Sequence, residues 1–159
     1  MKKLFSIFLI LVLLTGCAAE SEETTPSVQL ANPWVEYETL AEAEEAAGFS
    51  LSLPETVEGS YTAETFRVMN GQLLEVTYRD EEFTVTVRKM AGEGQDISGD
   101  YREYETVHVS EQEDRTVTNK ILGSSWLTLI SYDGYSYSLS APNGYWGDSH
   151  NGFLLHILP

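Results

Sequence analysis

Between Tyr61 and Ala141 apolar and polar residues alternate in short runs separated by Gly, Asn and Asp, a two-residue period that marks half-buried strands. The pattern predicts strands over Phe49–Leu53, Tyr61–Met69, Leu73–Arg79, Phe83–Met90, Thr106–Ser110, Arg115–Leu122, Ser125–Tyr132 and Tyr135–Ala141. Turn chemistry then sets registers. With Asn70-Gly71-Gln72 as a three-residue hairpin loop, Val68 faces Leu74 and Phe66 faces Val76; a two-residue turn would mix the faces. A four-residue loop after Arg79 would place Tyr78 opposite Phe83, Val76 opposite Val85 and Leu74 opposite Val87. One face is then expected to be wholly apolar, and the other, with Arg67 opposite Glu75 and Thr77 opposite Thr84, to be solvated. Asp133-Gly134 reads as a two-residue turn pairing Tyr132 with Tyr135, Ile130 with Tyr137 and Thr128 with Leu139.

Ahead of the strands, Thr39 and Glu42 have capping-box spacing, and Leu40, Ala43 and Ala47 fall on one helical face. Gly48 supplies the left-handed stop, with Phe49 placed to fold back on the last turn. So short a helix needs a sheet to lie on. The segment Ala91 to Tyr104, with Gly92, Gly94 and Gly99, reads as a long mobile loop. The elements together predict an α+β domain: a curved antiparallel meander of about six to eight strands with one short N-terminal helix packed on it.

The first residues follow a different logic. Lys2 and Lys3 precede an apolar run from Leu4 to Leu14, and small residues lead to Cys17, the layout of a cleaved export signal. The run is too short to span a bilayer, which takes about 20 apolar residues. Leu14-Thr15-Gly16-Cys17 resembles the lipobox of bacterial lipoproteins. The resemblance implies a diacylglyceryl group on the Cys17 sulfur, cleavage before Cys17, and acylation of the new amino terminus with fatty-acyl groups such as palmitate. Two or more chains would make that anchor firm, at about 0.8 kcal/mol per buried methylene. Cys17 is the only cysteine, so no internal disulfide is expected.

This reading divides the chain into a signal at residues 1–16, a small, polar, acidic tether at 17–31 and one α+β domain at 32–159. Removing 16 of the 159 residues leaves 143, and Lys2 and Lys3 leave with the signal; seven basic against 25 acidic residues then give a formal charge of −18. Nucleic acid and a bare anionic bilayer are therefore poor partners, and membrane attachment is expected through lipid alone.

No reaction is legible. Asp80-Glu81-Glu82 and the loop Glu93 to Asp100 hold clustered carboxylates without the spacing of a calcium loop, and solvated turns explain them better. His108, His150 and His156 are too dispersed for a zinc set. Asp148-Ser149-His150 lacks a nucleophile elbow. Neither a metal nor a cofactor is expected. The aromatic residues Trp126, Tyr132, Tyr135, Tyr137, Tyr145 and Trp146 are either sheet core or a stacking platform. The candidate ligand face is Trp126, Ile130, Tyr132, Tyr135 and Tyr137.

The order Asn32-Pro33, Leu40 to Phe49, Leu53-Pro54, Tyr61, Tyr78-Arg79-Asp80 and the hairpin Trp126 to Leu139 resembles a family of extracytoplasmic domains of unknown function. That family occurs in bacterial lipoproteins and in the outer parts of anti-sigma-factor-like proteins, chiefly in Gram-positive bacteria. The likeness covers about residues 32 to 141. Such relatives look like half-barrel carriers cradling an apolar ligand, an analogy at the level of fold. They tend to finish with an amphipathic helix, whereas Asn143 to Pro159 has glycines around Trp146 and an apolar end. The resulting expectation is a lipid-anchored, non-enzymatic domain outside the cytoplasm that binds or senses an envelope ligand or protein. A carrier for an apolar ligand or lipoprotein is the alternative, and an envelope enzyme comes third.

Overall fold

The computed structural model describes residues 32–54, 56–57, 61–79, 84–142, 153–154 and 156–157. The export signal, the tether, Asp80-Glu81-Glu82, Tyr145, Trp146 and Asp148-Ser149-His150 lie outside the described residues. The described elements run β1 (Trp34–Tyr37), α1 (Leu40–Ala47), β2 (Thr56–Val57), β3 (Tyr61–Met69), β4 (Leu73–Arg79), β5 (Thr84–Ala91), β6 (Thr106–Gln112), β7 (Arg115–Leu122), β8 (Ser125–Tyr132) and β9 (Tyr135–Ala141). They are mainly β and roughly consistent with the expected α+β description: one nine-stranded sheet carries the short helix α1.

The sheet order is β1-β3-β4-β5-β9-β8-β7-β6, with β2 also paired to β3, and every pairing is antiparallel. It is not one meander. Two of them, β3-β4-β5 and β6-β7-β8-β9, join through β5 and β9, so the chain leaving β5 must pass three strands to begin β6. At roughly 4.8 Å between neighbours that is four steps, or about 19 Å, and residues 92–105 make the crossing over one face of the sheet.

The hairpin at Asn70-Gly71-Gln72 has the expected register, with Phe66 opposite Val76, Arg67 opposite Glu75 and Val68 opposite Leu74. So does the Asp133-Gly134 hairpin, where φ of 49° and 79° gives the doubly left-handed turn that matches strand twist. The β4–β5 register differs from expectation by two residues. Arg79 pairs with Thr84, which sets Tyr78 opposite Val85, Val76 opposite Val87 and Thr77 opposite Thr86. An even shift leaves every side chain on its expected face. Phe49–Leu53 is not a strand; it is an irregular return in which the Leu51 amide donates to Glu44 Oε1 at 2.5 Å and the Leu51 side chain is buried. β1 and β2 were not anticipated.

The core lies on one face of the sheet, built from Val68, Leu74, Val76, Tyr78, Val85, Val87, Ile130, Tyr137 and Leu139. Helix α1 covers part of it with Ala43 and Ala47. Its N-terminus carries the expected capping box, Thr39 Oγ1 accepting from the Glu42 amide and Glu42 Oε2 accepting from the Thr39 amide, both at 3.3 Å. Gly48, at φ 80°, closes it. Phe153, Leu154, His156 and Ile157 have helical backbone, and Phe153 meets Tyr78 edge-on at 4.9 Å between ring centroids. Phe153 and Ile157 are thus buried in the core. Lys89 corrects the idea of a wholly apolar face, because it shares the side of Val85 and Val87.

The opposite face is not solvated around Arg67 and Glu75. Glu75 is 1% exposed, receiving Arg67 Nε at 2.9 Å and Arg88 Nε at 2.7 Å. The ring of Trp34 lies 4.7 Å from the Arg67 guanidinium carbon and 5.7 Å from that of Arg88. Arg88 also donates to the carbonyls of Ile97, at 3.0 Å, and Ser98. The loop expected to be mobile is instead laid across the sheet: Gly94 donates to Ser131 Oγ, Gln95 to Ser136 Oγ, and Lys120 to Asp96. Gly99 sits at φ 66°, a left-handed backbone that favours glycine, and a Cβ there would lie 2.7 Å from Arg88 Nη1.

Candidate functional site

At the end of β5 a lysine occupies a core-side position, and the chain around it is arranged to accommodate the charge. Lys89 pairs across the ladder with Leu74 and Tyr137. Its ammonium donates to the Ser50 carbonyl at 2.6 Å and sits 4.1 Å from the ring centroid of Tyr135, 5.3 Å from that of Tyr137 and 5.4 Å from that of Phe49. All three separations are within the roughly 6 Å over which a ring face attracts a cation. Phe49 leaves α1 to meet Tyr135 edge-on at 5.5 Å, and that contact closes the cage.

Burial pushes the Lys89 ammonium below its ordinary value, against the pull of Glu44 and Asp133. Burial likewise raises the Tyr137 phenol, to about 12, with Asp133, Tyr135 and Tyr132 adding to the shift. Beside the cage is a cavity of about 290 Å³ whose lining includes Ser50, Lys89, Tyr132, Asp133, Tyr137 and His156. That volume is just under the range of small-molecule sites, about 300–1,000 Å³. A lysine, an aspartate, a histidine and two tyrosines line it together, a set that suits a small ligand with a polar head and a planar or apolar body.

The aromatic hairpin is therefore divided. Ile130 and Tyr137 belong to the core, 2% and 5% exposed, with Trp126, Tyr132 and Tyr135 half-buried against it. Tyr132 and Tyr137 also line the cavity, and Tyr135 forms the cage. Trp126 pairs with Ala141, at the other end of the β8–β9 ladder from the turn. Lys89, Ser50 and Phe49 were missed by sequence reasoning. The available signal was a lysine two residues after Val87, on the side predicted to be apolar. His156 lines the cavity and His108 is exposed on β6.

Three carboxylates of the loop after β5 are committed to protein partners. Asp96 accepts from Ser98 and Lys120, Asp100 from Arg102 and Tyr104, and Glu93 from the Gly134 amide. Arg102 holds Asp100 well below the usual carboxylate range. Among the described residues no three His, Cys, Asp or Glu side chains group as a metal site would need.

Residues 1–18 match the model of the prokaryotic membrane lipoprotein lipid attachment site, the segment that ends around Cys17. The chain is accordingly a membrane-anchored lipoprotein, with its lipid on that segment. Among the described residues no helix is long and apolar enough to cross a membrane. No curated protein matches the chain. Of solved structures, the chain is similar to a GTP binding regulator from Thermotoga maritima, at 11% identity over 75% of this chain and 87% of that one, with a TM-score of 0.47. A likeness that loose carries no argument about ligand or function.

Proposed function

We propose that this lipoprotein is a non-enzymatic module that faces away from the cytoplasm and binds or senses a small envelope ligand in the cavity beside Lys89. One observation carries the reading: hairpin aromatics Tyr132 and Tyr137 line the same cavity as a lysine held among rings. A lysine on the core side of a strand is costly to desolvate, and the cage and the Ser50 carbonyl only partly offset that cost. Glu44 and Asp133 lie near enough to pull on the ammonium, and a ligand with an anionic head would add a direct counter-charge to theirs. The carrier alternative draws less support, because Ala43, Ala47, Phe153 and Ile157 occupy the apolar face that a cradled ligand would need.

The test is native mass spectrometry of the protein released in detergent from its own membrane. The reading expects a bound small molecule on the wild type that is lost from Lys89→Ala, while both carry the same acyl mass. A wild type free of adduct, or an adduct kept by Lys89→Ala, refutes it. Orientation and anchoring are tested separately with Cys17→Ser, which should leave an uncleaved, unacylated precursor; a wild-type chain without acyl mass in the membrane fraction refutes the anchor.

A further inference from the structure

We infer that β6 is a docking edge at which an extended, cationic segment of a partner protein adds a strand to the sheet. β6 is the last strand of the order, and among the described residues its one neighbour is β7. In an antiparallel ladder every second residue of such a strand turns its N–H and C=O away from the sheet, which leaves a row of bonding groups for another chain. Proteins usually blunt an edge of this kind with proline, lysine, a bulge or brevity. The far edge is blunted, since β1 has four residues and follows Pro33. β6 has seven residues, none of them proline or lysine, and its register with β7 is unbroken.

The exposed side chains say what kind of segment fits. Val107 and Val109 are 56% and 52% exposed on one face of β6, and Ile121 of β7 is 40% exposed on the other, beside Thr106. From Glu103 to Asp114 the chain carries five carboxylates and no lysine or arginine; of the basic residues beside it, Arg102 holds Asp100, Arg115 holds Asp114, and Lys120, opposite Val107 in the ladder, holds Asp96. A partner strand with aliphatic residues at its centre and lysine or arginine towards its ends would match both features. A second copy of this chain is the poorer occupant, because antiparallel self-pairing would bring acidic ends together in a protein of net charge −16.

Hydrogen–deuterium exchange on the full lipidated protein in detergent micelles tests the edge, with a blocked synthetic peptide alternating lysine and valine as probe. The peptide should slow exchange at residues 106–112 about tenfold or more. A peptide alternating glutamate and valine, and a cationic peptide of the same charge interrupted by proline, should leave those residues unprotected. Val109→Pro should abolish the protection, and should that variant not fold, Val107→Lys with Val109→Lys should abolish it in its place. Protection elsewhere on the protein, or equal protection by the proline-bearing peptide, overturns the inference. So does concentration-dependent protection of β6 without peptide, which would identify a second copy as the occupant.

Discussion

Glu75→Gln is the sharpest probe of how the sheet and its crossing loop are held together. The carboxylate joins two guanidiniums, Arg67 on β3 and Arg88 on β5, at a side chain 2% exposed. Arg88 passes the restraint on to the loop through the carbonyls of Ile97 and Ser98. An amide keeps the shape and one acceptor, but it leaves two cations facing each other with no compensating charge beneath Trp34. Removing one partner of a buried pair costs about 3–5 kcal/mol, chiefly through the uncompensated charge that remains. For a domain between the 100- and 150-residue classes, at about 4 °C per kcal/mol, the melting temperature should fall by roughly 12–20 °C.

Two assays separate the global effect from the local one. Thermal unfolding followed by circular dichroism reads the first. Limited trypsin cleavage at Arg102, within the crossing loop, reads the second and should accelerate at temperatures where the variant is still folded. Arg67→Met, which removes the more exposed guanidinium and leaves Arg88 in place, should cost less and leave the cleavage rate near that of the wild type. A Glu75→Gln loss below about 1 kcal/mol, the size of an exposed pair, would show that the triad is not acting as a buried unit. An unchanged rate at Arg102 would show that it does not hold the loop.

Tyr78→Phe should cost about 1–2 kcal/mol, because the buried phenol donates to the Pro54 carbonyl at 2.8 Å and the variant leaves that acceptor unpaired; denaturant midpoints measure it, and a neutral result would mean that water reaches Pro54. Asp96 is partly desolvated, which alone would raise it, yet Ser98 and Lys120 hold its carboxyl below the ordinary 3.8. The sign follows: its contribution is present above that value and is lost as pH falls through the lower folded value. With Asp96 and Lys120 41% and 21% exposed, the contribution is at most about 1 kcal/mol. Stability should fall below about pH 4 more steeply in the wild type than in Asp96→Asn, and parallel curves would remove the pair from the account.

What could be read in advance depended on how local the controlling interactions are. Five strands, from Tyr61–Met69 to Tyr135–Ala141, have their expected limits, because alternation and flanking turn residues act within a few positions. The β3–β4 and β8–β9 registers were legible through Asn70-Gly71 and Asp133-Gly134. The loop before Thr84 offers no residue that selects a turn, so two frames preserving the same faces competed and the other one prevailed. The β5–β9 pairing brings together residues about fifty positions apart and has no local signature. From that pairing follows the error over Glu75, since alternation tells which face a side chain takes but not whether something lies over it. The same limit explains the site: Tyr132, Tyr135 and Tyr137 were visible as an aromatic face, whereas the carbonyl and rings that hold Lys89 come from other segments of the chain.

The distribution of cations connects these features. Outside the export signal the chain has seven, and each is engaged within the fold. Arg67 and Arg88 bind Glu75, Arg79 lies 3.9 Å from Glu64, Arg102 holds Asp100, Arg115 holds Asp114, Lys120 holds Asp96, and Lys89 is caged by rings. Among the described residues most carboxylates have no cation beside them, so the domain shows its surroundings a predominantly negative surface. Such a surface repels an anionic bilayer, and a covalent lipid therefore has to supply the attachment that side chains cannot. It also favours positively charged partners, both for encounter and at the β6 edge. Because exposed charges are screened beyond about 8–10 Å at moderate salt, capture of a cationic strand should weaken as salt rises, whereas the buried Arg67–Glu75–Arg88 unit should hardly respond.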